Sequence, residues 1–175
     1  MRTVTRLAVA ALALTCIAVP AFAADPATPV PQQSPAPLKI DIPVVLKDAK
    51  IVFNMSQLAF VGEQSVGLTH MKILVQRFKA DQTTSKIIAV FHGQAGFMVL
   101  DDAAYNKARR TERGNPFKAL IAELQQVGVE FEECGQTAKT NNWTNADFLP
   151  GVKVNSGANL RLVELVQSGF IQLQP

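Results

Sequence analysis

Cys134 is the residue of this sequence with the clearest capacity for chemistry. It stands in the stretch 129–137, VEFEECGQT, where an apolar run gives way to Gly135 and a polar segment. A thiolate is a strong nucleophile that takes part in sulfur and redox exchange when its surroundings lower its pKa and leave it accessible. A cysteine at a strand end is also often a small buried hydrophobe. The residue type therefore leaves two alternatives open, a reactive thiol and a structural one.

Several polar or flexible residues occupy the same kind of position, directly after or at the end of an apolar run. They are Asn54, His92, Gly93, Cys134, Gly135 and Asn155. Ligands of open parallel sheets bind at the carboxyl ends of the strands, so we expect these residues to meet at one edge. His92 is a candidate catalytic residue beside Cys134, because imidazole is the usual acid–base group near neutral pH. A hydrogen-bonded structural histidine is the alternative.

The residues around the thiol are expected to influence its charge in opposite directions. Gly135 allows the backbone a sharp turn or a close approach to a ligand. The next four residues, which include Thr137 and Lys139, are predicted to open a short helix. A helix N-terminus and a nearby ammonium both favour a thiolate. Glu132 and Glu133 point to opposite faces of a strand, and either carboxylate near the sulfur would raise its pKa.

Other common functional classes lack their sequence signals. No glycine-rich dinucleotide fingerprint follows the first predicted strand, and there is no Walker loop and no Gly-x-Ser-x-Gly elbow. Two histidines and one cysteine outside the N-terminal segment are too few for a convincing zinc site. We therefore expect neither a metal nor an organic cofactor.

Residues 1–23 have the composition of a cleaved signal peptide. Arg2 and Arg6 form a positive start, residues 7–19 are an uncharged apolar run, and Ala21-Phe22-Ala23 is a small-x-small cleavage pattern. The apolar run is short for a membrane span. We expect cleavage after Ala23, export to the periplasm and no membrane span in the mature chain.

Removal of this segment changes the arguments from charge and from cysteine count. The full chain has 17 basic and 14 acidic residues, and without Arg2 and Arg6 the balance is 15 to 14. Nucleic-acid binding therefore has no electrostatic support, and the basic group at 109–113 is best explained as a solvated loop. Cys16 is removed with the signal, so Cys134 remains as a lone thiol that cannot form an internal disulfide.

The rest of the chain is predicted to be a linker followed by one domain. Residues 24–37 contain five prolines and few apolar side chains, which is typical of an extended linker. Residues 38–175 have the length of a single domain.

Strand and helix patterns alternate along this domain. Strands are predicted at 50–55, 86–91, 129–133, 152–154 and 170–173, with a possible extra edge strand at 40–46. Helices are predicted near 68–78, 97–104, 116–127 and 157–168, with Asn115 as the cap of the third and Asn155 or Ser156 as the cap of the fourth. This alternation predicts an α/β domain with a mainly parallel sheet.

Five segments of the domain resemble the DsrE family, also called DsrE/DsrF-like. They are VFHG at 90–93, GNPFKALIAELQQVGV at 114–129, EECGQT at 132–137, ADFLPGVKV at 146–154 and GFIQLQP at 169–175. The resemblance implies a three-layer α/β/α sandwich around a five-stranded parallel sheet, flavodoxin-like in style. With the signal and the proline-rich linker, the chain looks like an exported, periplasmic branch of that family.

The resemblance also implies a sulfur-relay function, as a sulfur carrier or transferase. Cys134 matches the cysteine that accepts a sulfane sulfur as a persulfide and passes it to a partner thiol. Known relatives are trimers or hexamers with this cysteine near a subunit interface, so a homo-oligomer is implied. His92 matches a His-Gly pair common in the family. The alternative function is a non-enzymatic module that binds a ligand or partner at the same edge, with Cys134 in a structural role.

Overall fold

The computed structural model of the protein describes residues 37–175. The predicted signal peptide and nearly all of the predicted linker therefore lie outside the described residues. Residues 37–41 contain no helix or strand and form a unit separate from residues 42–175. Within the described residues, no helix is both long and apolar enough to cross a membrane.

Each of the five predicted strands is present, with ends shifted by at most two residues. Two short strands that were not predicted, at 60–61 and 64–65, are present as well. In order, the strands of the described residues are β1 Asp48–Met55, β2 Phe60–Val61, β3 Gln64–Ser65, β4 Thr84–Phe91, β5 Glu130–Cys134, β6 Lys153–Asn155 and β7 Ile171–Leu173. The short β2 and β3 form a separate antiparallel pair. The helices are α1 Val66–Ala80, α2 Asp102–Arg109, α3 Lys118–Gln126, α4 Gly135–Thr140 and α5 Ala158–Gln167, with 3₁₀ helices at Gly93–Val99 and Asn145–Asp147.

The main sheet is parallel and has five strands in the order β6-β5-β4-β1-β7. The predicted α/β class and five-stranded parallel sheet are thus confirmed. β4 lies at the centre, and its residues from Ile87 to Phe91 are all buried. A continuous apolar run is expected there, because a central parallel strand is covered on both faces.

Two hydrophobic clusters lie on opposite faces of this sheet. The larger cluster joins alternate strand residues such as Phe53, Phe91 and Phe131 to α1 and α3. The smaller cluster joins the intervening residues, such as Val52 and Ile88, to α5. This division follows from the period of two along a strand, which sends successive side chains to opposite faces. The result is the expected arrangement of helices on both faces of a sheet.

The predicted helix near 97–104 was wrong as a single element. A 3₁₀ helix ends at Val99, Leu100 has extended backbone, and α2 begins afresh after Asp101. The Asp101 carboxylate accepts a hydrogen bond from Ala104 N–H at 2.7 Å, which is the bond of an N-cap. Leu100 instead forms a bridge with Phe148, so tertiary pairing interrupts the helical pattern.

Asn115 has a larger role than the predicted helix cap. Its Oδ1 accepts from Phe117 N–H at 2.8 Å, as a cap does, although α3 itself begins at Lys118. Its Nδ2 donates to the carbonyls of Met98 and Leu100 at 2.9 and 2.6 Å. The buried amide therefore joins the start of α3 to the end of the preceding 3₁₀ segment.

Residues 40–46 form no strand, so the possible extra edge strand is absent. Ile42 and Val44 are largely exposed. Pro43 lacks the N–H that pairing would require, and no apolar burial compensates for that loss.

Gly135 joins β5 to α4 at a point where a larger residue does not fit. A Cβ at this position would lie 2.6 Å from the carbonyl oxygen of Asn155 on β6. The glycine therefore allows the N-terminus of α4 to approach the neighbouring strand closely.

Gly135→Ala is expected to destabilise the protein by roughly 1–3 kcal/mol, the usual effect of forcing extra volume into a packed site. The backbone carbonyl cannot move away as a flexible side chain would. Urea denaturation followed by circular dichroism measures the free energy of unfolding. An unchanged value would show that α4 and β6 separate more easily than the structure indicates.

Candidate functional site

The carboxyl ends of four adjacent strands place the predicted residues side by side. Cys134 is paired in register with Asn155 on β6. On the other side, Glu133 is paired with Phe91, so His92 follows β4 next to the position of Cys134. His92 N–H donates to the Met55 carbonyl at 3.0 Å, which extends the β4–β1 pairing by one residue. The thiol, the imidazole and the amides therefore share one edge of the sheet.

Cys134 lies at the base of a cavity of about 270 Å³. His92 and Gln136 line the same cavity, together with Ser156–Leu160 at the start of α5. Only 5% of the Cys134 surface is exposed, and its apolar neighbours include Val52 and Leu162. The sulfur is thus shielded on one side by hydrocarbon and open on the other to a space that holds a molecule of a few heavy atoms.

The N-terminus of α5 uses the Cys134 sulfur in place of a side-chain cap. Gly157 occupies the N-cap position of α5 and has no side chain to offer, so the predicted cap at Asn155 or Ser156 was wrong. Ala158 N–H instead donates to Cys134 Sγ at 3.3 Å. Because the first N–H groups of a helix lack partners within the helix, a thiolate at this point satisfies one of them.

Two opposing influences set the pKa of the Cys134 thiol. Burial is the largest single influence and raises the pKa, because a buried thiolate loses solvation. Hydrogen bonds from the backbone N–H groups of Thr137, Ala158 and Gln136 lower it, and so does the Thr137 hydroxyl. The donors together prevail, and the pKa of the thiol lies below its ordinary value. The thiolate fraction at neutral pH is correspondingly higher than that of a free cysteine.

Thr137 connects the thiol to the next strand end. Its hydroxyl oxygen accepts from Gly93 N–H at 3.0 Å, which leaves the hydroxyl proton for the Cys134 sulfur. Gly93 has a φ of +57°, a left-handed conformation that favours glycine. Gly93 and Thr137 thus form a hydrogen-bonded chain that ends at the sulfur.

Thr137→Val is expected to raise the pKa of the Cys134 thiol and to slow its alkylation at neutral pH by about fivefold, the equivalent of one hydrogen bond. Valine keeps the shape of threonine and removes the hydroxyl donor. The measurement is the rate of iodoacetamide alkylation against pH. Thr140→Val is the matched control, because Thr140 lies on the same helix and its hydroxyl bonds the Gln136 carbonyl. Equal rates in the two variants would contradict the assignment.

His92 faces the cavity as a neutral imidazole. Burial lowers its pKa, which favours the uncharged ring at neutral pH. Its Nε2 lies 2.7 Å from Asn54 Oδ1, so the ring proton is on Nε2 and Nδ1 is left as an acceptor. Within the described residues, no hydrogen bond joins the ring to the sulfur. The thiolate is therefore stabilised by amide and hydroxyl donors, while His92 can accept or return a proton.

A buried ion pair fixes α5 against β5 next to the thiol. Arg161 donates to both carboxylate oxygens of Glu132, with distances from 2.7 to 3.0 Å. This hydrogen bonding raises the pKa of Arg161. Asn155 Nδ2 donates to the same carboxylate at 3.1 Å, so the predicted residue Asn155 supports the site through Glu132. The pair neutralises a carboxylate that lies on the same face of the strand as Cys134.

Lys139 does not join the group around the sulfur. It lies in the last turn of α4, is exposed, and does not line the cavity. The Lys139 ammonium was predicted to favour the thiolate. In the structure, the N–H donors at the start of α4 and α5 do so instead.

The chain is similar to known proteins in sequence and in fold. Residues 47–175 match the family model described as the DsrE/DsrF-like family. The chain belongs to this family. Membership confirms the resemblance found in the sequence and indicates a role of the sulfur-relay type for this DsrE-like protein. No curated protein matches the sequence.

Two solved structures share the fold of this DsrE-like protein. One is the protein of unknown function MTH1491 from Methanobacterium thermoautotrophicum, with a TM-score of 0.53 and 18% identity. The other is the ychN protein from E. coli, with a TM-score of 0.52 and 13% identity. In each comparison the match covers 73% of this chain and 99% of the other. At these identities the comparisons support the fold, and the α/β sandwich is shown.

Glu133 is the most unusual residue near the DsrE-like site. It is 0% exposed, and neither carboxyl oxygen has a hydrogen-bond partner within the described residues. A Cβ on Gly96 would lie 2.7 Å from its Oε1, so the glycine leaves room for the position that the carboxyl group occupies. Burial, with a smaller contribution from the charge of Cys134, raises the pKa of Glu133 to about 9, and the backbone N–H of Cys134 only partly offsets this rise. Glu133 is therefore protonated at neutral pH and adds no negative charge beside the thiolate.

The roles of four of these residues were not predicted from the sequence. Glu132 and Glu133 were noted only as charges close to the thiol, and Arg161 and the N–H of Ala158 were not selected. One signal was available in the sequence, because adjacent carboxylates at 132 and 133 point to opposite faces of a strand that helices cover on both sides, so both must be buried. A buried carboxyl group must be either paired or protonated. Glu132 is paired on one face of the sheet, and Glu133 is protonated on the other.

Glu133→Gln is expected to remove a pH dependence of stability. The folded protein keeps the Glu133 proton up to about pH 9, whereas the unfolded chain releases it near the ordinary value of 4.5, so stability falls as pH rises between them. Relative to a pH below the ordinary value, the free energy of unfolding at pH 7 is lower by roughly 3 kcal/mol. Urea denaturation at about pH 5 and about pH 8 should show a flatter pH profile for the variant.

The matched control for this experiment is Glu130→Gln on the same strand. Hydrogen bonding by Lys153 lowers the pKa of Glu130, which is a shift in the opposite direction. This control should therefore leave the fall in stability above about pH 5 in place. A wild-type profile that is already flat would contradict a protonated Glu133.

Proposed function

We propose that this DsrE-like protein is a sulfur carrier in which Cys134 forms a persulfide. The observation that supports it is the set of donors around one sulfur. Backbone N–H groups from the starts of two helices and the Thr137 hydroxyl converge on Sγ, at the base of a cavity of about 270 Å³. Such donors stabilise an anionic sulfur without a metal or a cationic side chain.

The proposed loading step is a nucleophilic displacement on a sulfane sulfur. The Cys134 thiolate attacks one sulfur of a polysulfide or of thiosulfate and forms a new S–S bond. The S–S bond of the donor breaks, and its electron pair leaves with a shortened polysulfide or with sulfite. The product is an anionic persulfide on Cys134, so the charge is conserved and no separate oxidant is needed.

The proposed unloading step returns the thiolate. An acceptor thiolate attacks the outer sulfur of the persulfide and takes it as its own persulfide, while the electron pair of the broken bond returns to Cys134. The backbone donors that held the original thiolate hold the leaving thiolate again, which favours this direction of attack. His92 Nδ1 accepts the proton of an incoming acceptor thiol, so that the acceptor reacts as its thiolate.

The size of the cavity supports a small donor. A volume of about 270 Å³ accommodates a short sulfur chain or thiosulfate.

The sequence of residues 1–23 supports export, and we propose that the protein works in the periplasm as an oligomer. The cytoplasmic partner proteins of known relatives would be absent there, which again favours a small sulfane donor. Native mass spectrometry of periplasmic extracts tests both proposals, because the subunit should begin at Ala24 and occur as trimers or hexamers.

Intact-mass analysis after incubation with polysulfide tests the carrier proposal. We expect one additional sulfur atom per chain, its location on the peptide that contains Cys134, and its loss on treatment with a small thiol. Pretreatment with iodoacetamide under native conditions should block the uptake. If the native thiol resists alkylation until the protein unfolds and no sulfur is taken up, the cysteine is structural and the proposal is wrong.

A further inference from the structure

A second cavity, of about 430 Å³, lies apart from the thiol cavity. It opens between the 3₁₀ helix Gly93–Val99, the end of α2 and the end of α4. Among residues 37–175, none lines both cavities, although Gly93, whose N–H bonds Thr137, lines the second one. Its walls combine two aromatic rings, Phe97 and Trp143, with one guanidinium, Arg109, and the amides of Gln94 and Asn141. The proposed persulfide chemistry uses none of these five side chains.

Arg109 is held in place by an aromatic ring. Its guanidinium carbon lies 4.3 Å from the centre of the Phe97 ring, in a cation–π contact. Among residues 37–175, no carboxylate lies within 4.0 Å of this guanidinium. A stacked guanidinium keeps its N–H groups at the edge free to donate, and these match the two oxygens of a carboxylate.

Basic side chains lie near the cavity. Among the described residues no acidic side chain lines it, and the pKa of the nearby Asp147 is lowered mainly by hydrogen bonds from Thr144 and to a lesser extent by the charge of Lys107. Lys107 and Arg110 lie at the same end of α2 as Arg109, and all three are exposed. An anion that enters the cavity therefore meets a cationic rim and one oriented donor group.

Trp143 provides a fixed apolar wall. Its indole packs edge-on against Phe148, with ring centres 6.3 Å apart and an interplanar angle of 88°. Its backbone N–H donates to the Ala138 carbonyl at 2.9 Å, which ties the residue to α4. A half-buried indole fixed in this way offers a surface for a planar group of a ligand.

We propose that this second cavity binds a small aromatic anion, with the carboxylate or sulfonate at Arg109 and the ring against Trp143. The volume is within the range of small-molecule sites and exceeds that of a simple inorganic anion. The combination of apolar walls and few polar groups is the usual composition of such sites. This inference does not depend on the reactivity of Cys134.

Titration with benzoate and its neutral analogue benzamide tests the proposal. Trp143 is the only tryptophan of the sequence, so its fluorescence and its single indole N–H resonance report this cavity directly. Benzoate is expected to give a saturable change, and benzamide should bind about tenfold more weakly or worse, because it lacks the charge-assisted hydrogen bonds. Equal responses to the two probes, or no saturable response, would overturn the proposal.

Arg109→Gln and Arg113→Gln provide matched variants for the same titration. Both residues belong to the basic group at 109–113, but only Arg109 lines the cavity. Arg109→Gln is expected to weaken benzoate binding by about tenfold or more, and Arg113→Gln should leave it nearly unchanged. Equal losses would mean that general charge attracts the anion, and the site would be rejected. Cys134→Ser should bind benzoate with unchanged affinity, which separates this result from the fate of the carrier proposal.

Discussion

Cys134→Ser is expected to take up no sulfur from polysulfide. Serine keeps the size of the side chain and can still accept the Ala158 N–H, but its hydroxyl is not ionised at neutral pH. The loss should therefore be complete while the fold is retained. Intact-mass analysis of the variant beside the wild type measures it, with circular dichroism as the check on folding.

The pH dependence of uptake gives a second measure of the same step. Because the surrounding donors lower the pKa of the Cys134 thiol, the uptake rate should reach its plateau at a lower pH than reaction with a free cysteine. Thr137→Val should shift the profile to higher pH. Sulfur uptake by Cys134→Ser equal to that of the wild type would show that another group carries the sulfur.

Arg161→Met is expected to destabilise the protein by about 3–5 kcal/mol, the usual effect of removing one partner of a buried ion pair. The side chain of Glu132 is only 4% exposed, so its carboxylate would lose its counterion in a poorly solvated place. Methionine preserves most of the packing of the arginine stem. Urea denaturation measures the change in the free energy of unfolding.

Two further variants identify the cause. Glu164→Gln removes the other partner of Arg161, an exposed carboxylate, and should change stability by less than about 1 kcal/mol. The double variant Glu132→Gln with Arg161→Met should recover most of the lost stability, because the buried charge is then absent. A double variant as unstable as Arg161→Met alone would show that packing, and not the unpaired charge, is responsible.

The ion pair is also expected to affect the thiol. Arg161 and Glu132 hold α5 against β5, and α5 supplies the Ala158 N–H that bonds the sulfur. Loosening this contact should slow alkylation of Cys134 in Arg161→Met. Stability and thiol acidity are thus joined through a single helix.

The local sequence pattern determined the elements and their order. The run of residues 87–91 is apolar throughout and lies in the central strand, and the alternation of strands and helices predicted the parallel sheet. Such patterns are local, because each strand or helix must bury its own apolar side chains whatever its neighbours are. The helix break at Leu100 and the N-cap of α5 at Gly157 were not predictable, because the pairing of Leu100 with Phe148 and the bond from Ala158 N–H to Cys134 join residues far apart in sequence.

The sequence by itself also indicated that Cys134, His92, Asn54 and Asn155 would meet at one edge, since strand ends in a parallel sheet must lie together. The charges at that edge were decided only by the tertiary structure. Glu132 meets Arg161 on one face, while Glu133 is buried without a partner on the other and keeps its proton. Neighbouring glutamates of one strand thus differ, one paired with a guanidinium and the other protonated, because desolvation and pairing depend on what packs against each face and not on the residue type.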